Sequence, residues 1–201
     1  MKHKKKFLII GNINSVAYKE ISPLIQKNKM WLGYSKTGMR FKTPQDKLET
    51  KGYACWFTNL KHNKRDVEMI LGKSYKKNPE NYPKYDNYDA IEVDKVDNIP
   101  KDYEGVMGVP ISFLSKHNPR QFEILGVSQR GCHDKFPDIK KYDDYWEMRQ
   151  DGTRTGASGK KLNECPVLVG NNGRNNYCTN GKIEVQTKYQ RIFIQNKNPE
   201  K

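Results

Sequence analysis

The sequence predicts an α/β portion, residues 1–77, followed by a β-rich portion, residues 78–201. Near the start, four consecutive apolar residues, 7–10, precede a glycine and an asparagine, which is the pattern of a strand buried on both faces of a parallel sheet. A connection rich in proline and asparagine covers residues 78–87. Beyond it, short β-prone segments alternate with glycine and asparagine turn signals, which favours a β-rich fold.

The first strand, residues 7–12, indicates that the chain is the later part of a larger α/β domain. A strand buried on both faces needs parallel neighbours, and these arrive through crossover connections of a dozen or more residues, usually helical. No residues before this strand supply such a connection. We therefore expect its companions to come from elsewhere, either from a missing first half or from another polypeptide.

Short elements are predicted between this strand and residue 77. Ser22-Pro23 is a helix cap followed by a first-turn proline, so residues 14–25 should form two short helical pieces instead of one long helix. The strand-like segments are residues 30–34, 39–41 and 53–58. Residues 44–52 are polar and predict a loop. Residues 65–75 suit both a strand and a helix, and we favour the strand.

The second portion contains mostly short strands. The predicted β segments are residues 90–93, 105–114, 121–127, 167–169, 182–186 and 191–194. Asn180-Gly181 is the strongest hairpin signal of the chain. Three tyrosines in the preceding connection, Tyr82, Tyr85 and Tyr88, are expected to pack locally and not to bind a ligand.

Composition limits the function classes. The 201 residues are 35% hydrophobic and 30% charged, and no apolar run approaches the roughly 20 residues that span a bilayer. The basic start lacks a small-residue cleavage site, so we predict a cytoplasmic protein without a secretory signal. The net charge of +14 and the pI near 9.5 favour contact with phosphate backbones or anionic membrane surfaces. The alternative is that lysine merely covers every solvated face.

Signatures of several enzyme classes are absent. No P-loop sequence occurs, and the paired glycines lack the strand-to-helix context of a dinucleotide loop. The four histidines stand in polar segments where solvation is more usual than catalysis. The four cysteines form no Cys-x-x-Cys pair, so no metal site is predicted, and the adjacent side chains of Cys132 and His133 rarely converge on one metal. Reduced structural thiols are the expectation in this compartment.

An ordered series of short blocks runs from about residue 5 to residue 127. The blocks are Phe7-Leu-Ile-Ile-Gly-Asn12, Ala17-Tyr-Lys-Glu-Ile21, Trp31-Leu-Gly-Tyr34, Trp56-Phe-Thr-Asn-Leu60, Tyr82-Pro-Lys-Tyr-Asp-Asn-Tyr-Asp89, Gly105-Val-Met-Gly-Val-Pro-Ile-Ser-Phe-Leu114 and Asn118-Pro-Arg-Gln-Phe-Glu-Ile-Leu-Gly126. In this order they resemble the EcoRI-type adenine-specific DNA methyltransferases, and a weaker likeness continues around residues 191–196. Each block alone is unspecific, whereas their order makes the resemblance specific.

The resemblance implies transfer of a methyl group from S-adenosylmethionine to the exocyclic amine of adenine in double-stranded DNA. The fold that it implies is an incomplete Rossmann-like methyltransferase sheet of the α/β class, followed by a β-rich (α+β) target-recognition region. The basic charge agrees with this, because neutralising phosphates supplies most of the non-specific affinity for DNA.

Two features of such enzymes are missing from the chain. Amino-methyltransferases carry an Asp/Asn-Pro-Pro-aromatic loop, whose oxygens accept from the target amine and whose ring stacks on the extruded base. None of the ten prolines here is adjacent to another, and the glycine-rich cofactor loop is missing too. Both loops normally lie upstream of a strand like residues 7–12. We therefore expect a carboxy-terminal portion, inactive alone, with most of the S-adenosylmethionine site on a separate N-terminal methyltransferase half.

The family pattern suggests a target-base pocket formed by Asn12, Trp56 and Phe57. The aromatic strand falls where related enzymes place an aromatic ring near the flipped base, and such a pocket offsets part of the cost of unstacking. The alternative is that Trp56 and Phe57 point to opposite faces and at least one belongs to the core. Asn12 ends the first strand, at the edge where ligands bind in open α/β sheets. Its alternative role is a helix cap or a turn.

The candidate DNA-binding residues directly follow the aromatic strand. They are Lys61, His62, Lys64 and Arg65, which are expected to clamp phosphates unless they form only a solvated loop. Arginines of the later portion could each reach guanine in the major groove, and the sequence does not select among Arg130, Arg149, Arg154 and Arg174.

Two other function classes remain open. The chain could be a non-catalytic DNA-binding module that retains this surface without chemistry, or half of a split enzyme. It could also be an RNA-binding or phage-type interaction protein. Competition between duplex DNA and structured RNA separates these classes.

Overall fold

The computed structural model describes residues 5–35, 38–128, 136, 138–171 and 177–201, which form a mixed, sheet-rich fold with few helices. The strands, in chain order, are β1 (Leu8–Asn12), β2 (Trp31–Leu32), β3 (Met39–Lys42), β4 (Leu48–Lys51), β5 (Ala54–Thr58), β6 (Ile91–Glu92), β7 (Met107–Pro110), β8 (Phe122–Val127), β9 (Trp146–Met148), β10 (Arg154–Ser158), β11 (Val167–Val169), β12 (Tyr177–Thr179), β13 (Glu184–Thr187) and β14 (Arg191–Asn196). The helical elements are α1 (Ser22–Gln26) and the 3-10 turns Ile13–Ala17, Asn63–Asp66, Pro79–Asn81, Val96–Asn98, Ile111–Ser115 and Gly159–Asn163. No helix in the described residues is long and apolar enough to cross a membrane.

The first sheet contains β1, β5 and β2 in that order, and all its pairs are antiparallel. β1 is therefore an edge strand, and its residues Leu8, Ile9 and Ile10 are 54%, 52% and 46% exposed. The predicted strand is confirmed, but its predicted parallel pairing and burial on both faces are wrong for the described chain. The reason is that β5 is its only partner among the described strands, and this partner returns in the opposite direction.

Two short helical pieces follow β1, as predicted. The Asn12 side chain accepts a hydrogen bond from the Asn14 backbone N–H at 2.9 Å and so caps the 3-10 turn Ile13–Ala17. α1 begins at Ser22, and Pro23 occupies its first turn. Proline is accommodated there because its missing N–H would have no partner inside the helix.

The central sheet joins β6, β7, β14 and β8. Its β6–β7 pair is parallel, whereas β14 is antiparallel to both β7 and β8. The main core packs this sheet against α1 and β5, with side chains such as Ile25, Phe57, Met107 and Ile192 in one continuous cluster. This core crosses the predicted boundary at residue 77, and the division into two domains stays a prediction.

The third sheet has the order β10-β9-β12-β13-β11, and its pairs are antiparallel. The predicted hairpin at Asn180-Gly181 is confirmed, since it joins β12 to β13 and Gly181 adopts a φ of 85°. β9, β10 and β12 were not predicted. Their sequences are short and contain few β-branched residues, so only the pairing with their neighbours establishes them as strands.

Residues 39–51 form a two-stranded antiparallel ribbon, β3–β4, although residues 44–52 were predicted to be a loop. β3 and β4 pair from Met39 with Lys51 to Lys42 with Leu48. The tight turn is closed by Thr43 N–H donating to the Lys47 carbonyl at 2.8 Å. β4 has no buried face, so its sequence is mostly polar and shows no apolar pattern that predicts a strand.

The predicted strand over residues 65–75 does not form, because no described strand lies beside this segment. Instead, the Gln121 side chain accepts from the Met69 N–H at 2.9 Å and donates to the Met69 carbonyl at 2.8 Å. One amide side chain thus replaces a neighbouring strand. The alternation that suggested a strand is retained, since Met69 and Leu71 pack against the core while Ile70 is fully exposed.

A buried ion pair connects two strands of the central sheet. Arg191 in β14 donates from Nε and Nη2 to the two carboxylate oxygens of Glu92 in β6, at 3.1 and 2.6 Å. The Tyr85 hydroxyl also donates to Glu92. The Glu92 and Arg191 side chains are only 3% and 11% exposed. Burial raises the pKa of Tyr85 well above its ordinary value, and the Glu92 charge adds to this.

Aromatic side chains of the connection pack locally, as predicted. Tyr82, Tyr85 and Tyr88 are each 6% exposed. Tyr85 and Tyr88 contact Phe193 with ring centroids 6.1 and 4.7 Å away. These tyrosines therefore serve the core that surrounds β14.

Candidate nucleic-acid interface

Nearly all of the net positive charge lies in residues 1–77. They contain 18 lysines and arginines and 5 acidic residues, a net charge of +13 out of the +14 of the whole chain. Residues 78–201 are therefore close to neutral. Because the field of such a distribution attracts phosphates mainly to the first portion, nucleic-acid contacts are expected around the first sheet.

One face of the first sheet carries large apolar side chains that are partly exposed. The register pairs Ile10 with Trp56 and Trp31 with Thr58, and directly paired residues project from the same face. Leu8, Ile10, Trp31 and Trp56 therefore share one face, which we call the outer face. The opposite face covers the main core.

Trp56 and Phe57 project to opposite faces. Phe57 is 4% exposed and belongs to the core, whereas Trp56 is partly exposed on the outer face. Gly33 donates its backbone N–H to the Trp56 carbonyl at 2.8 Å, and a Cβ at this glycine would lie only 2.7 Å from the Trp56 Cβ. Gly33 thus permits close packing beside Trp56. A base contact by Phe57 stays a prediction, and it would require the ring to leave the core.

Asn12 is exposed at the carboxyl end of β1. Its side-chain oxygen is engaged by the Asn14 N–H, so the cap interpretation is confirmed. The amide nitrogen of Asn12 still has two donors. Its role toward a target base stays a prediction.

Two cations of the predicted clamp lie over aromatic rings at this sheet. The Lys64 Nζ is 3.8 Å from the centre of the Tyr34 ring and donates to the Tyr34 carbonyl at 2.6 Å. The Arg65 guanidinium is 4.2 Å from the Trp31 ring and donates to the Asn28 side chain at 3.0 Å. Burial lowers the pKa of Arg65 to about 10, so this residue remains charged at neutral pH. Both cations are therefore oriented by the sheet.

The other two predicted clamp residues differ from each other. Lys61 is exposed. The His62 ring places Nε2 2.9 Å from the Leu32 carbonyl, while its Nδ1 is buried without a hydrogen-bond partner among the described residues. The Tyr34 ring meets it edge-on at 6.2 Å. His62 thus contacts the end of β2. A phosphate contact by His62 stays a prediction, and it would require the ring to rotate.

The outer face and the two cations that cover Tyr34 and Trp31 provide two kinds of contact that suit a nucleic acid. An aromatic ring can stack on a base for about 1–3 kcal/mol, independently of which base it is. Among the described residues, Lys64 and Arg65 each use one donor in a hydrogen bond, whereas an ammonium has three donors and a guanidinium five. The remaining donors are suited to phosphate oxygens.

The partner rings Trp31 and Tyr34 were missed by sequence reasoning. They precede Lys64 and Arg65 by about thirty residues, and no local pattern indicates which aromatic ring meets which cation. The uneven charge of the two portions is the signal that could have directed attention to the first sheet, because it can be counted directly in the sequence.

The arginines of the later portion are only partly described. Arg149 donates to the Thr153 hydroxyl at 3.3 Å, and the Arg154 guanidinium lies 3.9 Å from the Trp146 ring centre. Arg130 and Arg174 lie outside the described residues. Base reading by any of these four arginines stays a prediction.

Gly105 and Gly108 do not form the glycine cradle of a methyl-donor cofactor. A Cβ at Gly105 would lie 2.7 Å from the Tyr103 hydroxyl, and one at Gly108 would overlap the Tyr85 ring. These two glycines therefore serve close packing of tyrosines and do not line an open phosphate or cofactor loop.

No metal-binding group of three or more side chains occurs within the described residues. Of the described cysteines, Cys55 and Cys178 are buried free thiols. Burial raises the pKa of Cys55 and Cys178 to about 11, which keeps both thiols protonated at neutral pH. The neighbours Cys132 and His133 lie outside the described residues.

Comparison with known proteins gives a consistent family. A statistical model of the family described as "Adenine-specific methyltransferase EcoRI" matches residues 1–197. The Type II methyltransferase M.EcoRI of Escherichia coli is 43% identical over 142 residues, which cover 62% of this chain and 44% of that protein. The Type II methyltransferase M.MgeORF184P of Mycoplasma genitalium is 39% identical over 144 residues, or 62% of this chain and 45% of that protein. The Type II methyltransferase M.MpnI of Mycoplasma pneumoniae is 36% identical over 141 residues, or 61% and 44%.

The chain thus spans somewhat less than half the length of these curated relatives. No solved structure matches it.

Proposed function

We propose, because this chain belongs to the EcoRI family of adenine-specific methyltransferases, that it forms the DNA-contacting portion of a cytoplasmic, S-adenosylmethionine-dependent DNA adenine-N6 methyltransferase of a restriction-modification system. The observation that carries the proposal is the pair of partly exposed rings Trp31 and Trp56 on the outer face, together with the Arg65 guanidinium that covers the Trp31 ring. Double-stranded DNA is the partner that uses both features.

The methyl-transfer loops are proposed to come from a separate N-terminal half that carries most of the S-adenosylmethionine site. The sequence contains neither the Pro-Pro-aromatic loop nor the glycine-rich cofactor loop. The position of β1 does not support this proposal in the way the sequence suggested, because Leu8, Ile9 and Ile10 lie at a sheet edge and are about half exposed; the proposal depends on the two loops.

In this assembly the target base would approach the outer face at Trp56, with Asn12 at the end of the neighbouring β1. Phe57 supports Trp56 from the core side of the same strand. Stacking on Trp56 would offset part of the few kcal/mol that removing a base from the duplex costs.

The chain alone is expected to transfer no methyl group to DNA. The test is incubation with radiolabelled S-adenosylmethionine and unmethylated duplex DNA, followed by counting the label in the DNA. The part of the Escherichia coli relative that this chain does not match, added in equimolar amount, is expected to restore transfer. Robust transfer by the chain alone would contradict the proposed division of the enzyme.

The same experiment separates the enzyme portion from a non-catalytic DNA-binding module. A module of that kind would bind duplex DNA and would stay inactive with every added half. Preference for structured RNA over duplex DNA in a competition assay would contradict both functions.

Replacing Lys64 and Arg65 together by glutamine is expected to weaken the dependence of DNA binding on salt. Each lost phosphate contact lowers the slope of log K against log salt by about 0.9, so the double variant should lose up to about 2 units of slope. Sequence preference should not change, because phosphate contacts carry no base information directly. Fluorescence anisotropy with a labelled duplex between about 50 and 200 mM salt measures the slope.

The matched control replaces Lys84 and Lys95, two exposed lysines of the near-neutral portion, by glutamine. It removes the same charge away from the outer face. An equal slope of log K against log salt in both double variants would show that Lys64 and Arg65 do not contact phosphates.

A further inference from the structure

The β3–β4 ribbon stands apart from the hydrophobic clusters of the described chain. None of its residues belongs to a core cluster, and every residue of β4 is exposed. Leu48 is 69% exposed. A two-stranded ribbon without such support is only marginally stable in water, so packing within the described chain does not explain why this ribbon is present.

The ribbon emerges next to Tyr34, the ring that Lys64 covers. β2 and β5 are neighbours, and the chain leaves β2, forms the ribbon and returns as β5. Gly38, at the base of the ribbon, donates to the Ala54 carbonyl at 3.3 Å. Tyr34, whose ring lies under Lys64, also lies in the segment between β2 and the ribbon. The ribbon and Lys64 therefore lie at the same end of β2, whereas Arg65 lies at the other end, over Trp31.

The two faces of the ribbon differ in charge. Cross-strand pairing places Arg40 and Lys42 on one face with Leu48 and Thr50. Arg40 has no ion pair or side-chain hydrogen bond with the described residues. The turn adds Lys47, while the salt bridge of Lys42 with Asp46, at 2.9 Å, is exposed and so contributes little to stability. The strand residues of this face thus include two cations and no carboxylate, and the carboxylate that pairs with Lys42 belongs to Asp46 of the turn.

We propose that the β3–β4 ribbon is an arm that enters the major groove of duplex DNA with its Arg40 face. The inference rests on the proposed function, since it adds a second DNA contact to the outer face. The major groove, about 12 Å wide, admits a two-stranded β ribbon. Four residues of strand extend about 13 Å, which suffices to reach from the phosphates to the base edges. Arg40 is the side chain suited to guanine, and Lys47 is suited to phosphate.

The later hairpin, β9–β10, is the competing candidate for such an arm. Its arginines are engaged within the protein, since Arg149 bonds the Thr153 hydroxyl and Arg154 covers the Trp146 ring. It also belongs to a portion of the chain that carries almost no net charge. Arg40, which is unpaired among the described residues, and the basic surroundings favour the β3–β4 ribbon.

The first test replaces Arg40 and Lys47 by glutamine in the full chain and measures duplex binding by anisotropy over a salt series. The double variant is expected to lose up to about 2 units of salt slope if both cations contact phosphate, and about 1 if Arg40 contacts only a base. In the latter case, discrimination between the preferred duplex and one with altered guanines should fall about tenfold or more. The control is again Lys84→Gln with Lys95→Gln, which should leave the slope unchanged.

The second test measures hydrogen exchange of the amides of residues 39–51 with and without duplex. Protection of these amides by DNA is expected, and methyl green, a major-groove ligand, should displace the protein more readily than the minor-groove ligand distamycin. The inference requires a lower slope, protection of the ribbon and competition by methyl green, and failure of any one overturns it. If the unaltered chain binds duplex while the ribbon fails these tests, the proposed function stands without the arm. If the unaltered chain does not bind duplex DNA, both fall.

Discussion

Replacing Arg191 by methionine is expected to lower the free energy of unfolding by roughly 3–5 kcal/mol, because it leaves the Glu92 carboxylate buried without its cation. Glu92 is 3% exposed and receives two hydrogen bonds from Arg191. Among the described side chains, only the Tyr85 hydroxyl would remain as a donor to Glu92. Urea unfolding at pH 7, followed by far-ultraviolet circular dichroism, measures the loss.

A second substitution distinguishes the unpaired charge from the loss of arginine packing. Adding Glu92→Met to Arg191→Met removes the charge, so the double variant is expected to recover most of the lost stability. Buried ion pairs replaced by apolar residues are often neutral in stability. A double variant as unstable as the single variant would show that the arginine acts through packing, in contradiction to our assignment.

The protein is expected to lose stability between pH 7 and pH 5 because of His117. Burial lowers the pKa of this histidine from 6.5 to about 4, and the charges of Arg65 and Lys197 act in the same direction. In the unfolded chain His117 binds a proton near its ordinary pKa, whereas in the folded chain it stays neutral. Stability from this group is therefore complete above pH 6.5 and falls as the pH decreases toward 4, by about 2 kcal/mol between pH 7 and pH 5.

The control variant for this prediction is His117→Gln. Glutamine can still donate to the Phe122 carbonyl, which the His117 Nε2 contacts at 3.1 Å, but it does not titrate. Urea unfolding at pH 7 and pH 5 should show a loss that is smaller in the variant by about 2 kcal/mol. Carboxylates contribute equally to both proteins and cancel in this difference. Equal losses would mean that His117 does not control the acid stability.

The existence of many strands could be predicted from the sequence, whereas their pairing could not. Residues 7–12 and 53–58 are rich in apolar and aromatic residues, a local property that favours strands. Whether such a strand is central or at an edge depends on the neighbours that reach it, which is why β1 was wrongly expected to lie within a parallel sheet. β4 was missed for the opposite reason, since its side chains face solvent and show no apolar pattern.

The family could be predicted because the order of several short blocks is a property of the sequence alone, and the match over residues 1–197 confirms that resemblance. The sequence also directed attention to Trp56 and to the segment from Lys61 to Arg65. It could not show that Phe57 lies in the core or that Lys64 and Arg65 meet Tyr34 and Trp31. These contacts depend on how β2 and β5 pair, which is a long-range property.

β14 lies between β7 and β8, although it is the last strand of these 201 residues. During translation, β14 therefore leaves the ribosome only after its two neighbours in the sheet, β7 and β8, have been synthesised. Until residues 191–196 leave the exit tunnel, β7 and β8 have no strand to join them, and their apolar faces need protection by chaperones or by early collapse. Synthesis to the end of β14 is thus a condition for folding of this sheet, and a nascent chain halted before that point would be a substrate for proteases.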